Sequence, residues 1–270
     1  MTPSSADAPL EIDVRLVPRL APLRDPAVRV VVDEIRASTT LTTLIELGCP
    51  IVHVGGSLAA SRRLARATGS LLVGERRGRR PAGFDFSNSP VALRRAGVGG
   101  RSVVLSTTNG TAVLRRLADG GPILVGCLRN ARACAAAAVG LATAAAAPVR
   151  IVCAGREGGF VLEDAIAAGL LVARAIEAAA DAAVSTVLTD AAHAALDLLA
   201  AQPDLARALE DTDGGRTLRA IGEEEDVPYC AEVDRTTAVP LLVRDAGPRD
   251  GDPRDGDPRG AGLRVVRLAA

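Results

Sequence analysis

The chain contains no lysine, so all 32 of its basic residues are arginine. Chemistry that needs a lysine amine is excluded, including a GxxxxGK[ST] phosphate loop. Aromatic residues are almost missing, with no tryptophan, one tyrosine and three phenylalanines. A stacking platform for single-stranded nucleic acid is therefore not available. The two histidines, His53 and His193, are too few for a histidine-rich pair of metals. Five cysteines, at positions 49, 127, 134, 153 and 230, form neither a CxxC pair nor a zinc spacing. Scattered thiols of this kind suit a reducing compartment, where they pack as small hydrophobes. Long apolar runs are also lacking, because Arg, Asp, Glu and Pro interrupt the alanine-rich stretches. The opening "MTPSSADAPL" has neither the basic nor the apolar region of a signal peptide. The 32 acids balance the 32 bases, so no net field draws nucleic acid or an anionic membrane. The expectation is a soluble, cytoplasmic protein that binds neither; a homo-oligomer is left open.

What the sequence does contain is alternation. Short β-branched runs at 28–32, 51–54, 71–73, 102–105, 123–125 and 149–153 are separated by alanine-rich segments with helical spacing. Helices are expected over 39–47, 58–68, 111–117, 131–146 and 162–180, then 185–201 and 203–211. This predicts an α/β fold, three-layer α/β/α, with a mostly parallel or mixed sheet. Residues 1–27 read as a lead with room for a first strand, and 28–244 as the main domain. Residues 245–260 repeat a GDPRD unit without a large apolar side chain, which predicts a disordered insertion. A short terminal strand is expected within 261–270.

In open α/β sheets, ligands bind beyond the carboxyl ends of the strands. Polar residues gather at those corners. The first carries Asp33, Glu34, Arg36, Ser38, Thr39 and Thr40; the next, Glu75, Arg76, Asp85 and Asn88. "STTNGT" follows at 106–111, "GCLRN" at 126–130 and "AGREGGFVLED" at 154–164. Any one corner is explained by helix capping and turns. Acids and arginines recurring at one presumed edge suit an anionic substrate bridged by a divalent metal.

Missing patterns sort the phosphatase chemistries. Asp33 is followed by Glu34 and Ile35, not by the second aspartate of a DxDx[TV] motif. No cysteine has an arginine six positions on, and there is no RHG corner. A magnesium site held by carboxylates survives this sorting.

The segments "VVVDEIRASTT", "VGERRGRRPAGFDFSNSP", "STTNGT", "VCAGREGGFVLEDAIAAG" and "EEDVPYCAEVDRTTAVP" resemble, in order and spacing, the motifs of the 2-phosphosulfolactate phosphatase family. The resemblance spans about residues 28–240. It implies a magnesium-dependent hydrolase that converts 2-phospho-3-sulfolactate to sulfolactate and phosphate, a step of coenzyme M biosynthesis in methanogens. On that reading Asp33, Arg36 and Glu75 are catalytic candidates, and Asp33, Glu163 and Asp164 are metal candidates, with Asp164 ahead of Glu163. Ser38, Thr39, Thr40, Asn109, Gly110 and Thr111 are candidates for substrate contact. For Arg36 an ion pair with Glu34 stands as the alternative; Glu75 and Asp85 are candidates for metal ligand or general base, and Asp226 and Asp234 are weaker carboxylate candidates. Cys153 and Cys230 are read as packing residues. In-line attack by water and an aspartyl-phosphate on Asp33 both remain open. So do two rival functions: a binding protein for an anionic metabolite, and a phosphatase of another small phosphoester.

Overall fold

The computed structural model describes residues 8–22, 24–244 and 262–269. The expected insertion at 245–260 lies outside them. In chain order the elements are β1 (Leu10–Arg15), β2 (Val28–Val32), α1 (Ala37–Glu46), β3 (Val52–Val54), α2 (Leu58–Thr68) and β4 (Leu71–Gly74). There follow α3 (Pro90–Ala96), β5 (Val103–Ser106), α4 (Gly110–Leu117), β6 (Ile123–Val125), α5 (Ala131–Ala145) and β7 (Val149–Cys153). Then come α6 (Leu162–Asp181), β8 (Thr186–Leu188), α7 (Asp190–Ala200), α8 (Leu205–Glu210) and α9 (Asp213–Ile221). The last are α10 (Asp226–Cys230), β9 (Pro240–Arg244) and β10 (Leu263–Arg267).

One mixed sheet joins all the described strands in the order β4-β5-β3-β10-β9-β6-β2-β7-β1-β8. Alternate side chains serve opposite faces, as the two-residue period of a strand dictates. Val28, Val30 and Val32 pack with the helices α5 and α6, while Val31 joins the core beneath α1 and α4. Leu72 and Val104 face α2 with Phe84. Helices thus cover both faces, giving the three layers expected. Each fully buried valine contributes about 1.5–3 kcal/mol, which fixes the register of these strands.

Three details depart from the sequence reading. The segment 185–201 is not one helix: its start is the edge strand β8, beside β1. Strand β10, expected as a terminal strand, lies in the middle of the sheet, antiparallel to both β3 and β9. Finally, β9 is antiparallel to β6, so the parallel block β4-β5-β3 runs opposite to the parallel block β6-β2-β7-β1-β8. There is no single carboxyl edge. Neighbouring strands rotate by roughly 20–25° each, on the order of 100° over the five steps from β5 to β2. Corners from both blocks nevertheless line one cleft.

Candidate active site

The cleft is lined by several segments that are far apart in the chain. Asp33 and Arg36 come from the corner after β2, Glu75, Arg77 and Gly78 from the turn after β4, and Thr107 to Asn109 from the corner after β5. Gly155 to Glu157 follow β7, and Glu163 and Asp164 open α6. Helix α9 closes one wall with Gly214, Thr217 and Leu218.

The acids are not equivalent. Asp33 is buried; its Oδ1 accepts the Ala37 N–H at 3.1 Å at the start of α1. Burial pushes its pKa up to about 6, and the charges of Glu75 and Glu163 push the same way. Its Oδ2 lies against Gly110, where an added Cβ would stand 2.7 Å away. Only glycine allows α4 to begin there. Asp164 is tied down completely: Oδ1 accepts the Glu34 N–H at 2.8 Å and Oδ2 the Gly155 N–H at 2.9 Å. It clamps the ends of β2 and β7 together, and burial followed by the Asp33 charge raises its pKa well above the ordinary value. Its neighbour Glu163 differs. Oε1 accepts the Gly214 N–H at 3.1 Å, but the buried Oε2 has no hydrogen-bond partner among the described residues. Burial raises the pKa of Glu163 too. Glu75 accepts from the Thr108 N–H at 2.6 Å and the Gly78 N–H at 2.8 Å, joining the turn after β4 to the corner after β5. Asp85 stands outside the cleft lining and accepts the Leu72 N–H at 2.7 Å.

Arg36 lines the cleft, but its guanidinium is engaged in ion pairs. Nη1 donates to both Glu223 and Asp226, and Nη2 to the Gly78 carbonyl at 3.2 Å. Burial lowers its pKa, yet the charges of Asp226 and Glu223 outweigh that and leave it raised. The pairing with Glu34 entertained from sequence is replaced by these acids, which lie far along the chain. Glu34, wholly buried, instead accepts the Leu128 N–H at 3.0 Å and the Thr39 hydroxyl at 3.3 Å. Burial pushes its pKa up to about 8. Asp226 also receives the Ser89 hydroxyl at 2.8 Å, and Asp234 receives the Arg132 N–H at 2.7 Å. Cys153 and Cys230 are buried with thiol pKa values raised well up by burial, as packing residues are.

The hydroxyls after β2 turn inward. Ser38 Oγ accepts the Asp33 N–H at 2.8 Å, Thr39 donates to the Glu34 carbonyl at 3.0 Å and Thr40 to the Asn88 carbonyl at 2.9 Å. All three are buried, and none is among the lining residues. Thr111 likewise bonds back to Thr107, its hydroxyl reaching the Thr107 carbonyl at 2.9 Å. Asn109 does line the cleft, its Oδ1 accepting the Glu157 N–H at 3.2 Å.

Asn88, named from sequence with the corner after β4, is buried in the wall, its Oδ1 without a hydrogen-bond partner among the described residues. The build of two turns was not singled out from sequence. The segments 76–79 and 156–159 form two turns of the same build. Arg76 and Arg79 exchange backbone bonds of 2.9 and 3.2 Å, and so do Arg156 and Gly159 at 3.2 and 2.9 Å. The central residues have positive φ: Arg77 53° and Gly78 77°, Glu157 53° and Gly158 79°. This is the geometry of a primed hairpin turn, and the shared pattern of arginine, charged residue, glycine at 76–78 and 156–158 is its signal. Helix α9 gave no such signal, since it reaches the cleft only through tertiary packing.

Among the described residues no group of three or more His, Cys, Asp or Glu side chains is arranged to hold a metal ion by itself. Magnesium, however, typically takes one or two carboxylates and completes its shell with water and substrate phosphate. Asp33 and the unpartnered Oε2 of Glu163 fit that smaller donor set. Both oxygens of Asp164 are already occupied by amides.

The sequence profile of a family described as 2-phosphosulpholactate phosphatase matches residues 16–245. A Thermus thermophilus protein named probable 2-phosphosulfolactate phosphatase is 38% identical over 218 residues, covering 80% of this chain and 88% of its own. A Deinococcus radiodurans protein of the same name is 36% identical over 220 residues, covering 81% and 88%. One from Gloeobacter violaceus is 34% identical over 234 residues, covering 86% and 94%.

Proposed function

Because this chain belongs to the 2-phosphosulpholactate phosphatase family, we propose that it hydrolyses the phosphoester of 2-phospho-3-sulfolactate in a magnesium-dependent reaction. The observation that carries this reading is the Asp33–Glu163 side of the cleft. There two buried carboxylates are pushed toward protonation, and one of their oxygens has no partner. A cation would relieve both conditions.

Asp33 and Glu163 are the residues that would hold magnesium, which when bound neutralises phosphoryl oxygens and lowers the pKa of water. Asp164 keeps the ends of β2 and β7 at fixed separation, so Asp33 and Glu163 stay aligned. Glu75 holds the corner after β5 against the turn after β4, placing the α4 N-terminus at the cleft. That helix end favours a phosphoryl anion. In the displacement, the oxygen of water bonds to phosphorus as the bond from phosphorus to the C2 oxygen breaks. Water gives up a proton, and the departing oxygen gains one, yielding sulfolactate and phosphate.

Phosphate release from purified protein tests the reading, with 2-phospho-3-sulfolactate and with other small phosphoesters, before and after metal removal. Release only from the metal-loaded protein is the expected result. Full turnover in protein shown by elemental analysis to be metal-free would refute the magnesium dependence. Failure to cleave any ester would favour a binding protein for anionic metabolites.

A further inference from the structure

The charge at the cleft is divided by depth. The floor holds Asp33, Glu75, Glu163 and Asp164, all buried. Of the lining arginines, Arg36 is matched by Glu223 and Asp226. Arg156 is exposed, donates to the Thr217 hydroxyl at 3.0 Å, and precedes the exposed Glu157. Arg77 alone among them is exposed without a hydrogen bond or ion pair among the described residues. It occupies the same position of its turn that Glu157 occupies in the turn after β7, and both have φ of 53°. The two tips therefore present opposite charges on equivalent backbones at one opening.

The substrate proposed above carries roughly four negative charges, about two on phosphate and one each on carboxylate and sulfonate. Only the phosphoryl group can be neutralised at an acidic floor. The other anions must point outward, where Glu157 repels them on one side. We infer that Arg77 is a specificity-determining residue that holds the sulfonate of the substrate while the phosphoryl group faces Asp33 and Glu163. The inference rests on the phosphatase reading and extends it to the orientation of the substrate. A planar guanidinium matches two sulfonate oxygens as it matches those of phosphate or carboxylate. Holding that side chain on a turn with positive φ keeps it at the opening, clear of the acids beneath.

The test compares kcat/KM for 2-phospho-3-sulfolactate with that for 2-phospholactate, the same ester without the sulfonate. Arg77→Asn is the variant of choice, because asparagine tolerates positive φ and no hydrogen bond or ion pair among the described residues is lost. The ratio of the two values is expected to fall by at least about tenfold, mainly through KM for the sulfonated ester. Arg77→Lys, which keeps charge but not the fork, is expected to fall less. An unchanged melting temperature would show that the fold is intact. A ratio within about twofold of the unaltered protein's, or equal losses on both esters, would overturn the assignment. If the unaltered protein cleaves neither ester, the assignment of 2-phospho-3-sulfolactate as its substrate is refuted, and the role of Arg77 falls with it.

Discussion

The corner after β2 and the turn after β4 both border the cleft, yet they handle polar groups in opposite ways. After β2, the hydroxyls of Ser38, Thr39 and Thr40 and the carboxylate of Glu34 are buried and bonded within the protein. After β4, Arg77 stands exposed, without a hydrogen bond or ion pair among the described residues, at the tip of a turn closed by backbone bonds. The first region is scaffolding with a single catalytic candidate, Asp33, presented from it. The second is a hydrogen-bonded turn with an exposed tip. A high density of polar residues in sequence therefore does not mark which groups are left free at the cleft; burial and bonding decide that.

Variants sharpen the contrast. The largest effect on stability is expected at Arg36, whose side chain is 2% exposed and whose partner Asp226 is 0% exposed. Arg36→Ala leaves a buried carboxylate unpaired and is expected to destabilise the protein by about 3–5 kcal/mol in denaturant titrations. If the variant melts like the unaltered protein, the scaffold role of Arg36 is wrong.

Glu34 gives a pH-dependent effect. Its folded pKa, pushed up to about 8, lies above its ordinary 4.5. The protonated form is the one that folding favours. That stabilisation is complete below about pH 4.5 and is lost as pH rises through about 8. Melting temperatures of Glu34→Gln and unaltered protein across pH 5 to 9 are expected to diverge toward alkaline pH, the variant falling less steeply. Parallel curves would contradict the placement of Glu34.

Glu163 and Asp164 make a smaller but cleaner pair. In Asp164→Asn one amide N–H loses its acceptor and faces another donor, so a loss of about 1–3 kcal/mol is expected. Glu163→Gln retains an acceptor for Gly214 and removes a buried charge, so melting is expected to stay level or rise while turnover collapses. Similar signatures for the two variants would remove the distinction between clamp and open ligand.

Much of this was legible before the structure. Strands from 28–32 to 149–153 and the main helices announced themselves through β-branched runs and alanine periodicity, and the corners that meet at the cleft were named. Inward and outward use of those corners was not legible. Serine and threonine that cap a helix and those that touch a ligand are the same residues, and only burial separates them. The partners of Arg36 lie 187 and 190 positions away, beyond any local pattern. The central place of β10 was equally hidden, because "LRVVR" shows a strand but not its neighbours. Helix α9 became part of the site through Gly214, which lets the chain approach Glu163 closely enough to donate to it.

The account stands most directly on Asp33. Asp33→Asn keeps the size of the side chain and an acceptor for the Ala37 N–H while removing a charge that burial disfavours. Turnover of 2-phospho-3-sulfolactate by the folded variant, measured beside its melting temperature above pH 6, is predicted to fall at least about a hundredfold while the melting temperature holds or rises. Turnover close to that of the unaltered protein would contradict the central claim that this carboxylate does chemistry.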